Sequence, residues 1–208
     1  MSFGQPCWGL KSMRMTTIDV TRVAAGALLA GARPHAQNSA MRTPSTKPSQ
    51  LPRPKEFSAV MAAPFGAVGI VSAGELIHDI EFLPHAYPPA APTDRISAMA
   101  VNQLECYFAD PDFRFNLPLA RRGSEYRRRI WAAIAEIPRG RTRTYGELAH
   151  AAHSIARAVG QACGDNPFPL VIPCHRVVSA AGLGGFAHSS GGFLIDTKRW
   201  LLHHEGAI

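Results

Sequence analysis

The sequence has little of what marks secreted, disulfide-stabilised or membrane proteins. Its 208 residues include four cysteines, which show no regular spacing and no C-x-x-C pair, and this favours a reducing compartment. The longest apolar run, residues 23–32, is far too short to span a bilayer. It loosely imitates a signal peptide, but it is rich in Ala and Gly and follows an unusually long basic segment. We therefore expect a cytoplasmic protein that does not associate with membranes.

Acidic residues are scarce in two stretches of the chain, and the formal net charge is +7. Residues 1–55 carry eight Lys or Arg and one acid, residues 56–113 one base and eight acids, and residues 114–176 eleven arginines and four acids. An acidic segment followed by an arginine-rich one indicates two units, the second facing a polyanion such as nucleic acid. Charge alone leaves open that these are ordinary solvated faces.

Composition divides the chain into three predicted segments. Residues 1–55 are basic, with prolines recurring among Ser, Thr and Gln, and we expect them to form a disordered extension. After this segment the composition becomes typical of a globular protein. We predict an N-terminal α/β domain over 56–118 and a second domain over 119–208.

Residues 56–118 contain the patterns of a small α/β unit without evident chemistry. Apolar runs at 67–71 and 76–83 are typical of two strands joined by a hairpin-like break. Apolar residues from 95 to 108 repeat with helical spacing, and Asp94 is placed to cap that helix.

The arginine-rich segment contains the pattern of two short helices joined by a tight turn. An amphipathic helix is predicted first, over 124–137. Thr144 and Glu147 then have capping-box spacing at the start of the next helix. Helices over 145–152 and 155–163 form a helix-turn-helix pattern.

The second of these helices, residues 155–163, carries small side chains around a single arginine, Arg157. Such a surface lets the helix backbone approach a nucleic acid closely while one long cation reaches inward. The same composition also serves close packing against another helix, and this segment taken alone favours that interpretation slightly. The pattern by itself does not choose between them.

Cys174 is the candidate nucleophile, and it follows an apolar run at 170–172 that is predicted to be a strand. A free thiol with a pKa of about 8.5 is only a few per cent thiolate at neutral pH, so a base must activate it. His175 is adjacent, but neighbours on a strand point to opposite faces, so a turn or a bridging water is needed. Glu205 is a candidate to orient the imidazole. Taken alone, such a cysteine is more often a buried apolar residue.

Several ordered motifs resemble those of one known family. They are Arg143–Ala149 (RTYGELA), Ala156–Gly160 (ARAVG), Asn166-Pro167 followed by Ile172–Val178 (IPCHRVV), and Lys198–Gly206 (KRWLLHHEG). Together they resemble the active-site signature of the O6-alkylguanine-DNA alkyltransferases, or methylated-DNA–protein-cysteine methyltransferases. The resemblance is strong over 124–208 and weak over 60–118, and it does not include residues 1–55.

The resemblance implies a fold and an activity. The fold is α+β, with a small N-terminal ribonuclease-H-like α/β unit followed by a mainly helical, winged-helix-like domain that contains the helix-turn-helix. The activity is DNA repair, in which an alkyl group moves irreversibly from O6-alkylguanine, and also O4-alkylthymine, to the protein's own cysteine. Because a stacked base is out of reach of an enclosed pocket, the base must be flipped from the duplex. The expected protein is a monomer that binds the minor groove of double-stranded DNA, reacts once and needs no cofactor.

The resemblance also implies roles for individual residues. Cys174 would accept the alkyl group, His175 and Glu205 would activate it through a water, Asn166 would brace the cysteine loop, and Tyr145 would donate a hydrogen bond or proton to the leaving guanine. Arg157 would enter the duplex in place of the extruded base. The expected DNA-binding residues are Thr144, Tyr145, Ala156, Arg157, Ala158 and Gly160. The expected substrate-pocket residues are Trp131, Val177, Phe186 and Ala187.

Two other functions are considered, and the sequence departs from the family pattern at two places, one of which is the short turn between the two DNA-contacting helices, residues 153–155. A binding-only relative would recognise alkylguanine without repairing it, but such proteins replace the nucleophile, and Cys174 is present. A cysteine hydrolase with a Cys–His–Glu triad would turn over and would need no DNA-binding helices. The spacings of Cys and His match no usual zinc site, so no metal is expected. The loop at 185–192 is longer than the family's Gly-Tyr-(small)-Gly-Gly pattern and lacks its tyrosine, which bears on the accepted alkyl size.

Overall fold

The structure is a computed structural model, and it describes residues 56–208. The predicted disordered extension, residues 1–55, lies outside the described residues. The described residues belong to one compact unit that mixes helices and strands, in agreement with the predicted α+β class. The division at residue 118 and the finer ribonuclease-H-like and winged-helix-like descriptions stay predictions. No helix within this part of the chain is long and apolar enough to cross a membrane.

The first part of the fold is a three-stranded antiparallel sheet in the order β1-β2-β3. Its strands are β1 (Ala59–Ala63), β2 (Gly66–Ala73) and β3 (Leu76–Leu83). The β2–β3 hairpin turns at the predicted break, where Gly74 has a φ of +58°, a conformation that glycine adopts without strain. The sequence interpretation missed β1, because its residues AVMAA include no β-branched or aromatic alternation beyond one valine.

Helix α1 (Arg95–Ala109) packs against this sheet and ends close to the site described below. The predicted cap is confirmed: the Asp94 carboxylate accepts from the backbone N–H of Ser97 at 2.8 Å. The Ser97 hydroxyl accepts in return from the Asp94 N–H at 3.2 Å, which completes a capping box. The buried face of α1 includes Tyr107 in its last turn.

The second part of the fold is mainly helical. Its helices are α2 (Glu125–Ala135), α3 (Tyr145–Ala151), α4 (Ala156–Gly164) and α5 (Phe193–His204). The capping box predicted for Thr144 and Glu147 is present at the start of α3. A tight turn joins α3 to α4, with His153 at a φ of +48°. The two short helices therefore pack against each other as the sequence predicted.

A short parallel pairing places the start of α3 beside the cysteine loop. Strand β4 (Arg143–Thr144) pairs with β5 (Val177–Val178), which begins three residues after Cys174. On the other side, the N–H of Ile80 in β3 donates to the carbonyl of Pro167 at 2.9 Å. One hydrophobic core continues from the sheet to the helices, so the sheet supports the loop that carries the cysteine.

The strand predicted at 170–172 is wrong. Leu170 has a φ of +73°, and the N–H of Ile172 donates to the carbonyl of Phe168 at 2.8 Å, so the segment is a turn. A 3-10 turn, Cys174–Arg176, follows directly. The prolines at 167, 169 and 173 explain the difference, because each removes a backbone donor that a strand would need. The expectation that Cys174 and His175 point to opposite faces of a strand therefore does not apply.

Candidate active site

Cys174 lies at the wall of a cavity of about 350 Å³ and is only 4% exposed. Burial raises the pKa of its thiol. A hydrogen bond from Asn166 and the positive charge of Lys198 oppose this shift without overcoming it. The thiol is therefore protonated in the resting protein, and it needs a base before it can act as a nucleophile.

Asn166 connects the sulfur to the loop around it. Its amide nitrogen donates to the Cys174 sulfur at 3.2 Å and to the carbonyl of Ile172 at 2.8 Å. Its amide oxygen accepts from the backbone N–H of Phe168 at 3.0 Å. One side chain thus ties both ends of the proline-rich turn together, and the structure brings Asn166 and Cys174 into contact as expected.

His175 and Glu205 form a fully buried pair. The imidazole Nε2 lies 2.9 Å from a carboxylate oxygen of Glu205, although the two residues are 30 positions apart in the chain. Burial lowers the pKa of His175, and the hydrogen bond with Glu205 opposes that shift. A neutral imidazole facing a carboxylate carries its proton on Nε2, so Nδ1 keeps its lone pair. Nδ1 is buried and has no hydrogen-bond partner among the described residues.

Glu205 is the centre of a wider network that the sequence interpretation missed. The Tyr107 hydroxyl donates to it at 2.8 Å, and the Arg176 guanidinium donates to both carboxylate oxygens at 2.8 Å each. Burial raises the pKa of Glu205, but the hydrogen bonds from His175 and Arg176 outweigh this and hold the pKa well below its usual range. The carboxylate is therefore ionised. Arg176 lies within the IPCHRVV motif, so its position in the sequence could have indicated a role in the site. Nothing in the sequence links Tyr107 to Glu205 across 98 residues.

Lys198 is a second residue that sequence reasoning left without a role. Its side chain is fully buried, and its ammonium group donates to three carbonyl oxygens, those of Val177 (2.7 Å), Leu183 (2.7 Å) and Gly185 (3.0 Å). Burial lowers the pKa of Lys198 to about 8, and the neighbouring thiols act in the opposite direction. Lys198 is the one cation on the apolar face of α5, and this pattern in the sequence could have indicated a buried functional lysine.

Tyr145, the first residue of α3, lines the same cavity as Cys174. Its hydroxyl donates to the carbonyl of Gly185 at 3.0 Å. Burial, and then the two nearby thiols Cys163 and Cys174, raise the pKa of Tyr145 to about 12. The hydroxyl therefore keeps its proton at neutral pH and is available as a hydrogen-bond donor.

The predicted pocket residues divide into two groups. Phe186 and Ala187 line the cavity that contains Cys174. Trp131 and Val177 are not among the residues that line it, and their assignment to the substrate pocket stays a prediction. Trp131 lies between α2 and α4, where its indole N–H donates to the carbonyl of Ala162 at 2.7 Å, and Val177 is fully buried with its carbonyl bound by Lys198.

The predicted DNA-binding residues lie at the starts of α3 and α4. Arg157 is exposed at the second position of α4, beside the exposed Ala156 and the half-buried Ala158. Gly160, further along α4, lines the cavity, and a Cβ atom added there would meet nothing within 4 Å, so packing does not require a glycine. The Thr144 hydroxyl is engaged in the α3 cap.

No group of three or more His, Cys, Asp or Glu side chains within residues 56–208 is arranged to hold a metal ion. The chemistry that the described residues offer is that of a buried thiol, a neutral imidazole oriented by a carboxylate, a protonated phenol and a buried ammonium group. This set suits transfer of a group to sulfur.

Comparison with known proteins matches the chain to one family. A family model described as 6-O-methylguanine DNA methyltransferase, DNA binding domain, matches residues 125–207. Methylated-DNA–protein-cysteine methyltransferase from Mycolicibacterium paratuberculosis is 40% identical over 150 residues, which are 69% of this chain and 88% of that protein. The protein of the same name from Methanosarcina acetivorans is 35% identical over 159 residues, covering 73% and 99%.

Solved structures agree with these sequence relationships. Mycobacterium tuberculosis O6-methylguanine methyltransferase superposes with a TM-score of 0.60 at 33% identity, covering 71% of this chain and 91% of that one. A structure described as Mycobacterium tuberculosis OGT in complex with DNA gives a TM-score of 0.59 at 35% identity, covering 70% and 90%. With most of each relative's length matched at these identities, the chain belongs to the methylated-DNA–protein-cysteine methyltransferase family.

Proposed function

We propose that this protein repairs DNA by transferring the alkyl group of O6-alkylguanine to the sulfur of Cys174, once per molecule. One observation carries the proposal: His175, the residue after the cavity-lining Cys174, forms a buried pair with Glu205. A buried base oriented by an ionised carboxylate is what a protonated, buried thiol needs in order to react. The activity after which the relatives are named agrees with this chemistry.

The reaction begins with activation of the thiol. His175 Nδ1 has a lone pair and no hydrogen-bond partner within residues 56–208. It takes the proton of Cys174 through a bridging water, as the family resemblance implies. The ionised Glu205 stabilises the resulting imidazolium. The fixed positive charge of Lys198 and the hydrogen bond from Asn166 stabilise the thiolate.

The transfer itself is a direct displacement at carbon. The thiolate attacks the alkyl carbon, the S–C bond forms, and the C–O6 bond breaks with its electron pair left on guanine. Tyr145 supplies a hydrogen bond or a proton to the departing base, in line with a hydroxyl that keeps its proton at neutral pH. Nothing among the described residues reverses the thioether, which supports single-turnover stoichiometry.

We further propose that α3 and α4 form the DNA-binding surface and enter the minor groove. The small residues Ala156, Ala158 and Gly160 allow close approach in a narrow groove. Arg157 is exposed and takes the position of the flipped base. The damaged base then enters the cavity beside Cys174. We expect the protein to act as a monomer and to accept O4-alkylthymine as a second substrate.

Intact-mass spectrometry after mixing with duplex DNA that carries O6-methylguanine tests the proposal. One methyl group should add to the protein, peptide mapping should locate it at Cys174, and the lesion should disappear in proportion to the protein added. Cys174→Ser should bind DNA without gaining mass. Cys163→Ser, which removes the other thiol of the same cavity, should still gain one methyl group.

Two results would point to the other functions considered. Repeated release of product from a small ester or amide, with no reaction on DNA, would identify a cysteine hydrolase. Tight binding to alkylguanine DNA without any mass gain by the unmodified protein would identify a recognition protein. Continued methylation of Cys174→Ser would overturn the assignment of the nucleophile.

A further inference from the structure

The wall of the cavity includes a turn with an unusual backbone. We call residues 185–192 the pocket loop. Within it, Phe186 and Ser189 exchange two backbone hydrogen bonds of 2.8 Å each. The two residues between them, Ala187 (φ +46°) and His188 (φ +61°), both adopt the left-handed conformation that glycine prefers. Such a conformation persists in two consecutive side-chain-bearing residues only when other contacts hold it.

One contact that holds the turn comes from His188. Its Nε2 lies 3.0 Å from a carboxylate oxygen of Asp165, the residue that follows the last residue of α4. The imidazole lies over Gly164, where an added Cβ would be 2.4 Å from the ring, so only glycine leaves room for it. Asp165 also forms an ion pair with Arg127 in the first turn of α2. The pocket loop is thereby fastened to the end of α4.

The position of this turn determines the space around the nucleophile. Phe186, Ala187 and His188 line the 350 Å³ cavity together with Cys174. Phe186 and Ala187 also line a second cavity of about 250 Å³ that likewise includes Cys174. Each volume is at or below the small end of the range for small-molecule sites, about 300–1,000 Å³. Displacing the turn would therefore enlarge the space next to the sulfur.

We propose that His188 is a specificity-determining residue: by pairing with Asp165 it holds the pocket loop against α4 and limits the size of the alkyl group that reaches Cys174. This inference rests on the proposed function and concerns which O6-alkyl groups the protein accepts. Small groups such as methyl fit the closed loop, whereas bulky groups must displace it and break the contact. His188 acts through the position of the loop, not on the reacting atoms.

The test compares second-order rates of transfer to Cys174 from duplexes carrying O6-methylguanine or O6-benzylguanine. In His188→Ala the benzyl rate should rise relative to the methyl rate by up to roughly fivefold, the upper limit for a solvent-exposed pair of side chains. Asp165→Ala should also raise the ratio, and the double variant should raise it no more than Asp165→Ala alone, because both substitutions remove the same His188–Asp165 contact. Asp165→Ala additionally removes the ion pair with Arg127, which lies outside the pocket loop. His188→Gln keeps an N–H donor at similar reach and should restore the ratio of the unmodified protein.

His203→Ala is the matched control, since it removes an exposed histidine from α5, away from the pocket loop. It should leave the ratio unchanged. If His188→Ala does not fold, Asp165→Ala examines the same contact from the other side. Equal changes in both rates, no change in either, or additive effects in the double variant would overturn the proposal. Failure of the unmodified protein to accept a methyl group would instead count against the proposed function.

Discussion

Replacing Glu205 with glutamine removes the charge at the centre of the buried network while keeping its shape. The carboxylate is 1% exposed and accepts four hydrogen bonds, from Tyr107, His175 and, twice, Arg176. A neutral amide leaves the guanidinium without its counter-charge and turns one acceptor into a donor. Removing one partner of a buried pair costs about 3–5 kcal/mol. Because the Arg176 side chain is 13% exposed and is therefore partly solvated, we expect the free energy of unfolding to fall by about 3 kcal/mol, the lower end of this range.

This loss is large compared with the stability of an ordinary domain, about 5–15 kcal/mol. For a chain of this size it corresponds to a fall in melting temperature on the order of 6–12 °C. Urea unfolding at neutral pH, followed by circular dichroism, measures the change as a lower midpoint with an unchanged slope. Glu136→Gln, at an exposed position after α2, should shift stability by no more than about 0.5 kcal/mol. Equal midpoints for the two variants would refute the reasoning.

The effect of Glu205→Gln on the free energy of unfolding should depend on pH. The pKa of Glu205 is lower in the folded protein than its ordinary value of 4.5, so its stabilising contribution is complete above that pH. The contribution is lost as the pH falls toward the folded pKa, because the folded state then resists taking up a proton that the unfolded chain binds. The difference in unfolding free energy between the unmodified protein and Glu205→Gln should therefore shrink from about pH 5 downward. A difference that stays constant to about pH 3 would show that folding does not lower the pKa of this carboxyl group.

Three further substitutions test individual roles. Arg157→Ala should slow repair of duplex DNA at least about tenfold while changing the reaction with free O6-benzylguanine little, since only the duplex requires flipping; equal losses on both substrates would exclude this role. Lys198→Met should shift the pH profile of Cys174 alkylation by iodoacetamide to higher pH and lower stability by about 1–3 kcal/mol, because three buried carbonyls lose their donor. Tyr145→Phe should slow methyl transfer about tenfold or more, as measured by rapid quenching, with circular dichroism unchanged.

Local sequence patterns predicted the elements whose stability comes from residues near one another in the chain. The caps at Asp94 and Thr144 appear as predicted, because a capping box needs only residues three positions apart. The β2–β3 hairpin and the two short helices follow in the same way from turn residues and apolar spacing. The strand predicted at 170–172 does not form, because the flanking prolines remove backbone donors and Leu170 adopts a left-handed conformation.

The candidate nucleophile could also be identified without a folded structure, because four ordered motifs around Cys174 resemble those of one known family. The residues that surround its sulfur could be identified only from the folded protein. Glu205 meets Tyr107 across 98 residues and His175 across 30, Lys198 reaches three carbonyls on another segment, and His188 fastens the pocket loop to Asp165. These contacts depend on the packing of α1, α4 and α5 around one core, and packing between distant segments leaves no periodic signal in the chain. For that reason the charge of the carboxylate, the burial of the ammonium group and the position of the cavity wall became visible only in the folded protein.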